Sequence, residues 1–489
     1  MSSVIPFKGV LYNPEKISDL TKVMAPPYDV ISPEYQQTLY DRDPANIIRL
    51  ILAKEVAGDA EGSDKYSRAE ADYKAFLGDG TLARDAEPAI YFYTQTYDAE
   101  GTPPPRTRKG FIALKKLVEF GSDDKSGVHP HEKTLSGPKA DRLKLMKACK
   151  ANLSCIFSLY SEPGVDAKDR IGVVIETAAV KTEPIIDVTD DDGVVSKLWR
   201  VADTAVLTKV TEAMEDKPIF IADGHHRYET ALNYKKHMHE NGAGSGPHDY
   251  VMMYFSSMDD TGLTIFPTHR AVHSLPHFDA YSFLNVCREY FSVSEYCYSE
   301  ENEPEVRREF LEKLKSLDSA EPTAGGEDHS KATETLSTKQ RQINQAGEDE
   351  KNVSFGLIAS GEDAYFILTL RGRESFDRGL GAEAPSMPDI YKDLDVTVLH
   401  SLVLARMLKI TPEAQEKQSN IRYIKSTDKA FIEAKKPETQ AVFIMNPTKI
   451  EQVRDIAEAG HVMPQKSTYF YPKLLTGLVV NSLRKDDGK

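Results

Sequence analysis

Ile221-Ala222-Asp223-Gly224-His225-His226-Arg227 reads as a strand end, a glycine turn and the first turn of a helix. Just upstream, Lys217-Pro218-Ile219-Phe220-Ile221-Ala222 is short and apolar, as a buried strand would be. Downstream, Tyr228, Ala231, Leu232 and Met238 recur at helical spacing and predict a helix over 225–239. A strand feeding a helix through a tight turn is a building unit of mixed α/β architecture, so this stretch sets the fold class.

The flanking chain repeats the alternation. Tyr66, Ala69, Tyr73 and Phe76 predict a helix over 64–77, stopped by Gly78 and Gly80. Residues 89–96 alternate and carry aromatics, as a strand would; Thr102-Pro103-Pro104-Pro105 predicts a turn, and 110–118 the hairpin partner. A basic helix is expected over 139–150, then strands over 152–160, 171–178, 250–256 and 263–266. Near the N-terminus, Ala25-Pro26-Pro27-Tyr28-Asp29-Val30 is held extended by its prolines. Ser32-Pro33-Glu34 then has the form of an N-cap with proline at the first helical position.

Composition changes over 319–352. Segments such as Ala324-Gly325-Gly326-Glu327-Asp328 offer too little apolar surface to offset their ordering entropy. Strands over 353–358, 364–370 and 441–445 come next, with helices over 396–408 and 450–459. The expectation is an α+β (mixed α/β) fold: an N-terminal α+β region, 1–318, a flexible polar insert or linker, 319–352, and a C-terminal α+β region, 353–489. No internal repeat of fixed period is present.

With 489 residues, 40% hydrophobic and 28% charged, the chain has the composition of a globular protein. Its 61 Lys+Arg against 76 Asp+Glu leave a formal charge of -15. Such a surface repels nucleic-acid backbones and anionic membranes, so neither is an expected partner, and any anion site must be a local basic pocket. Four cysteines, none in a C-x-x-C pair, suit a reducing cytosol. The first residues lack the basic-then-apolar form of a secretory signal, and no run of about 18 apolar residues occurs. A cytoplasmic location is the expectation; nothing in the pattern sets an oligomeric state.

The chemistry-bearing residues fall in four places. In the 221–227 stretch, a helix N-terminus exposes unpaired N–H groups and positive partial charge, where anions bind. His225, His226 and Arg227 add cations that are unfavourable to the helix itself, and such a conflict points to function. Asp223 could hold Mg²⁺ or cap the helix; the bland alternative is an Asp-Gly turn before an ordinary helix. In His129-Pro130-His131-Glu132, the glutamate could act as a general base, or His129, His131 and Glu132 could bind a metal, or the segment could be a polar loop before a helix that carries Arg142. Thr268-His269-Arg270 adds an imidazole and a guanidinium at a strand end, which alone reads as surface. Finally, Lys466, Ser467, Thr468 and Lys473 lie among the aromatics Tyr469, Phe470 and Tyr471, a strip able to clamp phosphate or equally to pack on a core. It lacks the glycines of a P-loop.

Taken together, Pro6-Phe7-Lys8-Gly9, Ala25-Pro26-Pro27-Tyr28-Asp29-Val30, His131-Glu132-Lys133-Thr134, Asp141-Arg142-Leu143, residues 222–228 and 267–270, Leu394-Asp395-Val396 and residues 463–473 resemble the signatures of a bacterial and archaeal domain-of-unknown-function family, the one numbered ten-fifteen, over nearly the whole chain. The Asp-Gly-His-His-Arg box also resembles that of the ParB/sulfiredoxin-like superfamily, in which a strand-turn-helix with a terminal arginine binds nucleotide phosphates. Its free serine kinase branch pairs a Pro-His-Glu loop with a downstream Asp-Gly-His-His-Arg, matched here by Pro130-His131-Glu132 and 223–227.

The resemblance implies a ParB/sulfiredoxin-like core at about 110–290 with added N- and C-terminal segments. It also implies a nucleotide-dependent phosphotransferase acting on a small hydroxyl metabolite, free serine or phosphoserine, with Mg²⁺ and ADP or ATP. Glu132 would deprotonate the hydroxyl, Asp223 would sit by Mg²⁺ or the reacting phosphoryl group, and His226 would join the catalytic set. Gly224, His225, Arg227, Arg142, His269, Arg270, Lys466, Ser467, Thr468 and Lys473 form the candidate phosphate and nucleotide set. A phosphoserine phosphatase and a non-catalytic nucleotide-binding regulatory module are the alternatives. Redox chemistry of sulfiredoxin type lacks its cysteine, because His225 occupies that position.

Overall fold

The computed structural model of the chain describes residues 3–99, 102–121, 127–132, 136–319, 353–464 and 466–484. Two compact units are present. One comprises Met1–Thr264, Ala457–Gly460 and Phe470–Lys489; the other comprises Ile265–Ile456 and His461–Tyr469. The architecture is mixed α/β, as the alternation predicts.

In the first unit, a nine-stranded mixed sheet runs in the order Val128–His129, Ile219–Asp223, Ile156–Tyr160, Tyr250–Ser257, Thr102–Lys116, Ile90–Ala99, Val195–Val201, Ile186–Thr189, with Val4–Ile5 added alongside Thr102–Lys116. Two of its pairings are parallel, Ile219–Asp223 with Val128–His129 and Tyr250–Ser257 with Ile156–Tyr160. Buried parallel strands read as continuous apolar runs, which is why Ile219-Phe220-Ile221-Ala222 is apolar throughout. The His225–Glu240 helix returns across this sheet and lays Tyr228, Ala231 and Leu232 against Ile156, Ile219, Ile221 and Met253. A buried side chain the size of leucine contributes about 1.5–3 kcal/mol. The C-terminal tail closes the unit, with Asn481–Ser482 pairing on Ala151–Asn152.

The second unit is built on a six-stranded sheet, antiparallel throughout, in the order Phe291–Cys297, Ala364–Leu370, Ser354–Ala359, Thr439–Ile444, His269–His273, Ile421–Ile424. Here the structure differs from the boundaries expected at 318 and 353. Strands from before and after the polar stretch hydrogen-bond in this one sheet, as in Phe291↔Leu370, so 265–318 packs with the chain beyond 353. The expected insert itself lies outside the described residues from 320 to 352.

Three local expectations are corrected. Residues 171–178 are not a strand but part of the Ile171–Ala179 helix, in which Ile171, Ile175 and Ala179 recur every fourth position and are the buried ones. Its β-branched content suggested a strand, and burial of one face overrides that preference. The expected turn at Thr102-Pro103-Pro104-Pro105 is the start of the long Thr102–Lys116 strand, beside a register shift at Tyr97/Ala99, where a missing N–H is tolerated. The expected strand 152–160 is interrupted, leaving Ala151–Asn152 and Ile156–Tyr160 with a loop between them. By contrast, Ser32 caps Pro33–Arg42 as expected, its hydroxyl accepting the Tyr35 N–H at 3.2 Å.

Candidate active site

Gly224 makes the turn between strand and helix. Its φ of 95° lies in the left-handed region, and a Cβ there would stand 2.9 Å from Arg227 Nε. No side chain caps the helix that begins at His225, and its N-terminal end carries the positive partial charge that attracts anions. At the strand end, the Asp223 carboxylate is gripped from two sides. Arg227 Nη2 donates to Oδ2 at 2.6 Å, and Lys473 Nζ donates to Oδ1 at 2.6 Å. All three side chains are largely shielded, at 13%, 14% and 19% exposure for Arg227, Lys473 and Asp223. Burial pushes the Asp223 carboxyl up, but Lys473 and Arg227 more than offset it and hold it well below the usual carboxylate range. Arg227 also donates to the Cys155 carbonyl, in the loop that interrupts residues 152–160.

Lys473 arrives from the far end of the chain, and two residues that the sequence pattern does not single out hold its loop. Gln95 Nε2 donates to the Lys473 carbonyl at 2.9 Å. Arg108 donates to the Tyr471 carbonyl at 3.2 Å, to the Pro472 carbonyl at 2.7 Å and to Gln95 Oε1. Arg108 is fully buried and makes no ion pair among the described residues; its guanidinium lies 4.4 Å from the Phe157 ring centroid. Three consecutive carbonyls are thus fixed, and with them the stem of Lys473. Residues 106–110 read Arg-Thr-Arg-Lys-Gly, so no apolar alternation marks Arg108 as inward.

His131 and His225 form a second layer. His131 is buried, its Nδ1 lies 2.5 Å from the Ile221 carbonyl, and its backbone N–H donates to His225 Nε2 at 3.3 Å. The two rings stand edge to face at 4.8 Å. Burial lowers both pKa values, and His131 further lowers that of His225, so both rings are neutral near pH 7. His225 therefore braces the 128–132 segment from within, while His226 is half-exposed. Glu132 comes next in the chain, with Oε1 4.0 Å from His131 Nε2 and its side chain 19% exposed.

Arg142 sits 4.1 Å above the Tyr28 ring and is bonded to the Ile51 carbonyl at 2.6 Å and to Asp141. Burial raises the Asp141 carboxyl, Arg142 outweighs it, and the result is a pKa lowered to about 2. Arg142, Tyr28, Ile51, Leu153, Arg227 and Thr230 line one small open recess.

The remaining candidates belong to the second unit. His269 is a buried core histidine whose Nδ1 accepts the Met445 N–H at 3.1 Å. Arg270 is buried and donates to His400 Nε2 at 3.2 Å and to the Lys466 carbonyl at 3.1 Å. Ser467 Oγ donates to the Pro464 carbonyl at 2.6 Å. Lys466, Ser467 and Thr468 are thereby assigned to one unit and Lys473 to the other.

The donor set at Asp223 does not suit Mg²⁺. Both carboxylate oxygens are already taken by cations at 2.6 Å, which leaves neither free to face a further cation. His129 likewise stacks on Phe220, at 5.1 Å, rather than joining His131.

The model of the protein family of unknown function DUF1015 matches residues 4–397. The chain belongs to this family. No curated protein matches it in sequence. Among solved structures, it is similar to a conserved hypothetical protein from Pyrococcus furiosus, at 14% identity over 73% of this chain and 91% of that one, with a TM-score of 0.29. It is similar to a free serine kinase in complex with AMP, at 13% identity over 73% and 88%, with a TM-score of 0.30. A C-terminally truncated SbnI from Staphylococcus aureus matches at 8% identity over 77% and 90%, also with a TM-score of 0.30. Among the described residues, no helix of this DUF1015 member is long and apolar enough to cross a membrane.

Proposed function

We propose that the protein is a nucleotide-dependent phosphotransferase acting on a small hydroxyl metabolite, with free serine or phosphoserine as the first substrates to test. One observation carries the reading: Lys473 and Arg227 converge on Asp223 beside the uncapped first turn of a helix. Two fixed cations and aligned N–H dipoles make a cradle for phosphate oxygens. Phosphoryl transfer asks a protein chiefly for positioning and charge stabilisation. In this reading Lys473, Arg227 and His226 hold phosphate oxygens, and Asp223 orients the two cations. Glu132 takes the proton of the attacking hydroxyl. The likeness of Pro130-His131-Glu132 and 223–227 to the serine kinase pattern supports it.

The test is to incubate the full chain with serine and ATP or ADP, and in parallel with phosphoserine and ADP, and to follow phosphate transfer. Turnover that Glu132→Gln abolishes is the expected result; full turnover in that variant removes Glu132 as the base. A second reading, nucleotide binding without turnover, draws on the same carboxylate: with both oxygens of Asp223 occupied, the site favours holding an anion over recruiting a metal. Tight nucleotide binding with no transfer to any hydroxyl acceptor would select it.

A further inference from the structure

The helix that begins at His225 carries a second cluster at its far end. His239, in its last turn, lies beside His248 and Asp249 of the Pro247–Asp249 turn, and one ligand-capable atom from each lies within 4.8 Å of the others. His239 Nε2 is 2.7 Å from Asp249 Oδ1, and the two imidazole rings stand edge to face at 5.0 Å. The turn is braced on both sides. The Gly246 N–H donates to Asp249 Oδ2 at 2.9 Å, and the Leu117 N–H donates to the Asp249 carbonyl at 2.8 Å. One carboxylate oxygen is thus held from behind while the other faces the imidazoles. His248 is buried and His239 is exposed, so the cluster has a closed inner side and an open outer one.

We propose that His239, His248 and Asp249 form a binding site for a divalent transition metal of the zinc class. Two imidazoles and one carboxylate are the nitrogen-rich donor set that zinc accepts, and three protein ligands leave the fourth position to water. Mg²⁺ and Ca²⁺ prefer all-oxygen sets and are poor matches. Ligand atoms around tetrahedral zinc lie about 3.4 Å apart, given bonds of about 2.0–2.1 Å. The exposed His239 ring can close the remaining gap by rotating. The Gly246 N–H is the kind of outer hydrogen bond that orients a ligating carboxylate. A metal here ties the end of the His225–Glu240 helix to the start of the Tyr250–Ser257 strand. At about 1.5 Å per residue, it lies about 18 Å along the helix from Arg227, so its role is to brace the helix rather than to act on a ligand held at Asp223.

The test uses the full chain, free of any affinity tag and stripped with a chelator, titrated with Zn²⁺ and with Co²⁺ as a spectroscopic probe. The expected result is one equivalent bound, visible d–d absorption with Co²⁺, and a higher thermal midpoint with Zn²⁺. His239→Ala, an exposed change at a helix end, lowers Zn²⁺ affinity at least tenfold, and Asp249→Asn does the same. His237→Ala, in the same turn but outside the cluster, leaves binding unchanged. Absence of stoichiometric binding, wild-type affinity in His239→Ala, or an equal loss in His237→Ala overturns the proposal.

Discussion

Lys473 and Asp223 are separated by 250 residues in sequence and by 2.6 Å in space, Nζ to Oδ1. Lys473→Met leaves the shielded carboxylate with Arg227 as its one strong partner. Breaking a buried pair by removing one member costs about 3–5 kcal/mol, and the partial exposure of both groups places the expected loss at the lower end. Urea unfolding measures it. Lys473→Arg, which can still reach Asp223, is expected to recover most of the loss.

Arg108 is expected to act on the site without touching a ligand. Arg108→Met removes the donors to the carbonyls of Tyr471 and Pro472, each left short of a partner at about 1–3 kcal/mol. Gln95→Leu frees the Lys473 carbonyl. Both should weaken phosphate binding in the same direction as Lys473→Met but by less. Titration of the variants with pyrophosphate ranks them, and a Gln95→Leu effect larger than that of Lys473→Met would contradict the positioning role.

Gly224→Ala tests the turn itself. A φ of 95° is strained for alanine, at about 1–2 kcal/mol, and the new methyl would displace the Arg227 guanidinium. The expected outcome is a lower unfolding midpoint together with weaker anion binding.

Acid should loosen the layer behind the site before it reaches the carboxylate. His131 and His225 have folded pKa values lowered from 6.5. Their contribution is therefore complete above pH 6.5 and is lost as pH falls below it, by up to about 1.4 kcal/mol per pH unit for each ring. Asp223, whose folded pKa is lowered, keeps its contribution until pH drops below its unfolded value of 3.8. Stability measured between pH 7.5 and pH 5.5 should fall, and His225→Gln should fall less steeply.

Much of this was legible in the residues, and the exceptions have physical causes. The strand-turn-helix at 219–240 is local: its apolar run, its glycine and its helical spacing all lie within one window, so fold class and the 223–227 turn can be read from it. Lys473 carries no such local mark, and a strip of lysines among aromatics reads equally as surface or site. Only the fold, through Gln95 and Arg108, brings it to Asp223. Position in the first turn alone groups His225 with His226 and Arg227 as an anion ligand, yet a helix points adjacent residues in different directions: His225 is buried and His226 is partly exposed. The polar stretch 319–352 suggested a domain boundary because composition records what cannot form a core. It does not record that the strands on either side pair with one another.

The measurement that bears most directly on the account is calorimetric titration of ADP into the wild-type chain and into Lys473→Met, with the variant's folding confirmed by circular dichroism. One-site binding in the wild type, weakened at least tenfold in the variant, is the result expected if Lys473, Asp223 and Arg227 form the phosphate cradle. Equal affinity in the two proteins, or no binding of ADP to the wild type, would contradict it.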